Sequence, residues 1–286
     1  MRLWALSDLH VAYPINREAV AQLPAHPQDW LILGGDLGET PDQVRWILDT
    51  LGGRYQRLLW VPGNHELYST SKDPVRLNGV ARYEHLVNLC RRAGVLTPED
   101  PWPLWPGDGP PTMIAPLFVP YDYSFGPPGL SREQVKAWAA DEHIVSTDEL
   151  LIKPEPYAHI GEWCAARVKL TEARLQDVPP GVRLVLINHW PLRQDLVRLY
   201  RIPRFAPWCG SAATEPWLRR FPVDVVVYGH LHMRSTDWRE GVRHEEVSLG
   251  YPRHWRQEAG VSHYLRQILP GPPAPPSGES GPEWRR

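Results

Sequence analysis

Long hydrophobic runs, lysine, cysteine and charge of one sign are all scarce in this sequence. No stretch approaches the ~18 to 20 consecutive apolar residues that a membrane span needs, so no membrane role is expected. The first apolar run, Leu3–Leu6, stops at Ser7-Asp8 and is too short for a secretory signal. Three cysteines, Cys90, Cys164 and Cys209, are odd in number, far apart and without a CxxC pair. They argue against a disulfide framework and for a reducing compartment, so a cytoplasmic protein is expected. Lys and Arg number 31 against 33 Asp and Glu, a formal net charge of −2. That balance excludes a strongly basic nucleic-acid binder and an acidic tail protein. Only 4 of the 31 basic residues are lysine, a ratio that coding bias accounts for and that carries no chemistry by itself.

The 286 residues are 42% hydrophobic, enough for a sizeable core. Proline supplies 32 of them, about twice the ~5% average, and six lie between Pro270 and Pro282. Residues 270–286 are Pro/Gly/Ser-rich without hydrophobic periodicity and are expected to be a disordered tail. Upstream no repeat or linker divides the chain, and a single domain over 1–269 is expected.

Within that domain, short apolar runs alternate with helical patterns, the mark of α/β packing. Strands are expected at Leu3–Leu6, Trp30–Leu33, Leu58–Val61, Met113–Val119, Leu184–Ile187 and Val223–Tyr228. Helices are expected at Pro41–Leu51, Val80–Ala93 and Ile160–Val178, the first with Pro in its first turn and Gly52 beyond its end. Glu240-Gly241 separates two alternating runs and reads as a hairpin turn.

Five of the strand candidates end alike. Leu3–Leu6 runs into Asp8 and His10, Trp30–Leu33 into Asp36, Leu58–Val61 into Asn64-His65-Glu66, Leu184–Ile187 into Asn188-His189, and Val223–Tyr228 into His230 and His232. Ligands of open α/β sheets sit outside the carboxyl ends of strands, so five such ends bring these side chains together. Asp8/His10 and His230/His232 are i,i+2 pairs that share one side of an extended backbone. Glycines before Asp36, Asn64 and His230 allow close approach of crowded loops. Two Asp, one Asn and four His, without sulfur, suit Mn, Fe, Zn or Ni. Seven ligands are too many for one such ion and suit two, with Asp36 the natural bridge. Taken singly, each residue has an ordinary account: Asn64, for example, reads equally as a helix N-cap.

This set, Asp8-x-His10, Gly35-Asp36, Gly63-Asn64-His65-Glu66, His189 and Gly229-His230-x-His232, resembles the motif set of the calcineurin-like metallophosphoesterases over residues 1 to 250. The resemblance implies an α/β fold, a four-layer αββα sandwich with a dinuclear site. It implies Asp8, His10, Asp36 and His232 on one metal, with Asp36, Asn64, His189 and His230 on the other. It also implies that His65 faces the substrate as the catalytic histidine. Two metals ~3.5–4 Å apart can lower the pKa of a shared water and stabilise the charge of an in-line displacement on a phosphoester.

The stretches Asp29-Trp30-Leu31-Ile32, Trp60–Leu67, Tyr121-Asp122-Tyr123-Ser124-Phe125, Trp208-Cys209-Gly210 and Val247–Arg253 are similar to a bacterial branch of that family. That branch includes a hydrolase that removes the 4′-phosphopantetheine arm from acyl carrier protein, which implies a phosphodiesterase with a carrier-protein partner. Hydrolysis of small substrates such as cyclic nucleotides or phosphomonoesters shares the same motifs, and a non-catalytic scaffold is the alternative of another class. Arg193, Arg198, Arg201 and Arg204, against Asp195, read either as a solvated helix face or as a dock for an acidic partner. His26, His85, His143, His159, His244, His254 and His263 have no motif partner and are expected at the surface or in packing. Tyr121 and Tyr123 are expected in core or loop packing.

Overall fold

The apolar runs become strands buried on both faces, which is why they read as nearly continuous rather than alternating. The computed structural model describes residues 1–71 and 73–285. In chain order its elements are β1 (Leu3–Leu6), α1 (Pro14–Ala21), β2 (His26–Leu33), α2 (Pro41–Leu51), β3 (Tyr55–Trp60), α3 (Asn64–Leu67) and α4 (Gly79–Arg92). There follow β4 (Thr112–Pro116), α5 (Arg132–Ala140), α6 (Asp148–Leu151), α7 (Ile160–Gln176), β5 (Arg183–Ile187) and α8 (Trp217–Arg220). The chain closes with β6 (Val223–Tyr228), β7 (Ser235–Arg239), β8 (Val242–Glu246), β9 (Arg266–Leu269) and β10 (Ser280–Trp284).

These strands form two mixed sheets, one in the order β3-β2-β1-β9 and one in the order β10-β7-β8-β6-β5-β4. In the first, β1, β2 and β3 run parallel while β9 is antiparallel to β1. In the second, β4, β5, β6 and β8 run parallel, β7 is antiparallel to β8, and β10 is antiparallel to β7. Alternate residues set the layers. Leu3, Ala5, Ile32, Leu59, Val185 and Val227 belong to a core between the sheets. Their neighbours Leu31, Leu33 and Trp60 pack with Val44 and Ile47 of α2 and Leu86 of α4. Leu184, Leu186 and Val226 pack with Cys164 and Leu175 of α7 and Trp217 of α8. The result is a four-layer αββα sandwich. No helix among the described residues is long and apolar enough to cross a membrane.

Local chemistry sets several boundaries. Thr40 caps α2 by accepting from the Gln43 N–H, with Pro41 directly inside. The expected strand from Met113 stops at Pro116, which has no N–H to give to the ladder, and residues 117–119 continue as loop. Glu240 and Gly241 both adopt left-handed backbone (φ 55° and 77°), as the tight β7–β8 hairpin requires.

The C-terminal segment departs from the expected disordered tail. Ser280, Glu283 and Trp284 pair with Trp238, Thr236 and Ser235 of β7, with a register shift around Pro282. An edge strand with a bulge tolerates proline. Arg285 then reaches the fully buried Glu245 carboxylate, 3.0 Å from its Nη1. Composition alone hides a strand whose anchor is a charge forty residues away.

Deleting residues 270–286 should therefore destabilise the fold. Glu245 keeps Arg243 and Arg266, so the loss is about 1–2 kcal/mol rather than the ~3–5 of an orphaned buried charge. That corresponds to roughly 2–8 °C in Tm for a protein of this size. Differential scanning calorimetry checks it, and an unchanged Tm would contradict the packing of β10.

Candidate metal centre

The carboxyl ends of β1, β2, β3, β5 and β6 converge, and with them Asp8, His10, Asp36, Asn64, His189, His230 and His232. The two sheets are tied at this end. The Ser7 N–H donates to the Val247 carbonyl at 3.1 Å and the Leu249 N–H to the Ser7 carbonyl at 2.8 Å. Asp8, His10, Asp36, His230 and His232 all hold left-handed backbone, with φ between 43° and 70°. For residues other than glycine this costs on the order of 1–3 kcal/mol each and persists only where surroundings enforce it. Here they do: the Asp8 N–H donates to the Gly35 carbonyl (2.8 Å) and the His10 N–H to the Asp36 carbonyl (3.0 Å). A Cβ at Gly63 would collide with the Asp36 carboxylate, and one at Gly229 with that of Asp8.

Asp8 is fully buried. Its Oδ2 accepts from the Ser7 hydroxyl at 2.6 Å and the Ser248 hydroxyl at 2.7 Å. Its Oδ1 lies 2.9 Å from His232 Nε2 and 3.9 Å from His10 Nε2, and these two ring nitrogens are 3.2 Å apart. Burial opposes ionisation of Asp8, but His232 and His189 outweigh it and hold the carboxyl far below its usual range. Asp36 Oδ1 accepts the His65 N–H at 2.9 Å. Its Oδ2 faces His189 Nε2 at 3.5 Å and His10 Nε2 at 4.0 Å, so this one oxygen stands between both groups of imidazoles.

The second group shows most directly that the donor set fits a metal. His189 Nδ1 lies 2.9 Å from the Gly34 carbonyl, which assigns the ring proton to Nδ1 and leaves the Nε2 lone pair facing inward. Asn64 donates from Nδ2 to Asp148 and to the Tyr68 hydroxyl, both at 3.0 Å, which turns its Oδ1 toward His189 Nε2 (3.3 Å) and His230 Nδ1 (3.2 Å). Lone pairs of a carboxylate, an amide and an imidazole thus face one another away from water, an arrangement that calls for a cation. The same pull acts on protons. Burial works against a charge on His189, yet Asp36 and Asp8 raise its pKa to about 10. Burial keeps His10 and His230 neutral, each down to about 3, as coordination requires.

His65 sits beside this cluster. Its Nε2 is 3.9 Å from Asp36 Oδ2 and 3.4 Å from the Tyr251 hydroxyl, and its Nδ1 is 3.4 Å from a Glu39 carboxylate oxygen. Burial lowers its pKa, but Asp36 and Glu39 reverse the effect and raise it to about 9. The centre opens into a cleft of about 810 Å³ that reaches Leu199, Arg201, Ile202, Phe205 and Arg253 at its rim.

Several residues outside the candidate ligand set support the cluster. Glu66 accepts the N–H groups of Asp36 (2.9 Å), Leu37 (2.8 Å) and Gly63 (3.0 Å), clamping the ends of β2 and β3 together. Asp148 sets the Asn64 amide from 84 residues away, and no local pattern announces it. His254, expected at the surface or in packing, instead has Nδ1 3.0 Å from His232 Nδ1 and orients that ring. Its sequence neighbours carry no ligand spacing that would reveal this. Tyr121 and Tyr123 are buried as expected.

The arginine segment is not the helix face that was one of its two expected forms. Residues 193–204 make short 3-10 turns rather than a helix, in keeping with Pro203 and Pro207. Arg193 pairs with Asp195 (2.8 Å) and Glu240 (3.4 Å), Arg198 with the buried Asp237 (2.8 Å), and Arg204 with Glu142 (3.1 Å). Acids distant in sequence therefore pair with Arg193, Arg198 and Arg204, and Arg201 is the member that faces the cleft.

This chain belongs to the calcineurin-like phosphoesterase family, whose model matches residues 1–234. It is 46% identical over 272 residues to the [acyl-carrier-protein] phosphodiesterase PptH of Mycobacterium tuberculosis, across 94% of this chain and 84% of that protein. The crystal structure of that phosphopantetheinyl hydrolase matches this fold with a TM-score of 0.90 over 95% of this chain and 96% of the other.

Because Asp36 Oδ2 faces both imidazole groups, Asp36→Ala should lose the bulk of both metals per chain, whereas His254→Ala should keep them more nearly intact. Elemental analysis of the purified variants checks this, and a full complement of metal in Asp36→Ala would rule out a bridging role.

Proposed function

We propose that this protein is a dinuclear metal-dependent phosphodiesterase that cleaves the phosphopantetheine arm from holo acyl carrier protein, releasing phosphopantetheine and the apo carrier. The observation that carries this reading is the two-sided acceptor cluster centred on Asp36 Oδ2, set at the base of an open cleft. The substrate follows from the 46% identity to PptH across nearly the whole chain.

Asp8, His10, Asp36 and His232 would hold one cation, and Asp36, Asn64, His189 and His230 the other. Oxygen and nitrogen donors without sulfur suit Mn, Fe, Zn or Ni. Two such cations supply Lewis acidity toward the phosphate and a lowered pKa for an attacking water. The chain itself does the rest. Ser7 and Ser248 occupy Asp8 Oδ2 and so direct Oδ1 inward. Asp148 prevents the Asn64 amide from flipping. His65, beside Asp36 and Tyr251, would carry a proton on its imidazole. As the P–O bond to the carrier breaks, that proton passes to the leaving oxygen. Leu199, Ile202 and Phe205 offer an apolar wall to the uncharged arm, and Arg201 and Arg253 place positive charge at the rim.

Incubating the metal-loaded protein with holo carrier protein should shift the carrier's mass by loss of phosphopantetheine. Turnover of small diesters with none on the carrier would overturn the substrate. His65→Ala should retain its metals and lose ~10²–10⁴-fold in turnover, the usual contribution of a general acid; wild-type turnover would leave His65 a structural residue.

At the rim, Arg201→Glu should cut kcat/KM on an acidic carrier protein several-fold, and less so at high salt, through slower association. A small chromogenic diester should be nearly unaffected. Steady-state kinetics on the two substrates separates these outcomes, and equal loss on both would mean damage to the site.

A further inference from the structure

A second cavity, of about 570 Å³, borders Val247 in the segment that follows β8 and is lined by Arg234, Arg256, Arg266, Arg285, Trp4 and Tyr264. Its charge is out of balance. Arg266 forks onto Glu245 at 2.8 and 2.9 Å, Arg285 reaches the same carboxylate at 3.0 Å, and Arg243 lies 3.4 Å from it. Among the described residues three guanidinium groups thus share a single carboxylate, two of them, Arg266 and Arg285, in the cavity lining.

The other two arginines add to this excess. Arg234 donates to the carbonyls of Ser248, Leu249 and His254, which carry no net charge, and its Nε is buried without a partner. Among the described residues no carboxylate pairs with the Arg256 side chain, which is exposed and lines the cavity. Glu246, the other acid nearby, is fully buried, and burial raises its pKa and opposes its ionisation. Burial lowers the pKa of Arg285 and of Arg243, and the neighbouring Arg266 lowers both further, although Glu245 pulls the other way. Positive charge held in a partly dry concavity without matching anions is costly, and a bound anion offsets that cost.

We propose that this cavity is a binding site for a phosphate-bearing anion, separate from the metal centre. The guanidinium fork matches phosphate oxygens two at a time, and the cavity offers more donors and more room than a lone carboxylate uses. Its wall is shared with the metal centre. Arg234 holds the backbone of Ser248 and His254, whose side chains meet Asp8 and His232. An anion seated on Arg234 therefore touches the segment that orients two of the proposed metal ligands.

The test uses inorganic pyrophosphate and, in a parallel arm, ADP, titrated calorimetrically into the full-length metal-loaded protein. Tighter binding of ADP than of pyrophosphate would point to a nucleotide, and equal binding to the phosphates alone. With either probe, Arg256→Glu should remove one equivalent of binding per chain or weaken it at least about ten-fold, while Arg256→Lys should restore most of it. Arg256 is exposed, so both variants should keep the wild-type Tm. In Asp36→Ala, which impairs the metal centre, the Arg256-dependent equivalent should remain. Binding that is lost entirely in Asp36→Ala, or that is indifferent to Arg256→Glu, would overturn the site. So would the absence of binding to the wild-type chain.

Discussion

The oxygen pair of Asp36 is the point on which the centre turns. One oxygen is taken by the His65 N–H, and the other is left facing the rings of His189, His65 and His10. A buried carboxylate in that position is tolerable only if positive charge comes to it. Much else in the structure serves this demand. Glu66 clamps the strand ends on either side, Gly34 fixes the His189 tautomer, and Asp148 turns the Asn64 oxygen inward. The strained backbone at Asp8, His10, Asp36, His230 and His232 belongs to the same account. Three of the five loops, those after β1, β2 and β6, leave the commonly populated backbone regions to present these side chains.

That strain is held by the sandwich behind it. The inter-sheet core and the two helix-covered faces supply a rigid frame, and the Ser7–Ser248 bridge joins the sheets at the end where the ligands emerge. Because Ser248 both bridges the sheets and bonds to Asp8, sheet packing and ligand geometry are not independent. Beyond the centre, charges are settled largely by partners remote in sequence. Asp237 takes Arg198 and Glu142 takes Arg204, so arginines that stand together along the chain are paired separately in space. Arg201 and Arg253 remain at the rim of one cleft, and a crowded arginine set remains in the other cavity.

Strands β1, β5 and β6, helix α2 and the β7–β8 hairpin were legible in the sequence because each is announced locally, by an apolar run, a cap or a turn pair. The seven candidate ligands were legible for a related reason. Each follows a buried strand directly, and strand ends of an α/β sheet converge by construction. Whatever depends on a distant partner was not legible. Strand β10 lies in a proline-rich stretch and is held by β7 and Glu245, His254 matters only because His232 lies beside it, and Asp148 acts on a residue 84 positions earlier. Local pattern by itself determined which segments are strands and which side chains stand at their ends, since periodicity and capping act over a few residues. Only the tertiary structure decided which charges are cancelled and which acceptors face each other, because hydrogen bonds and Coulomb forces depend on distance in space rather than along the chain.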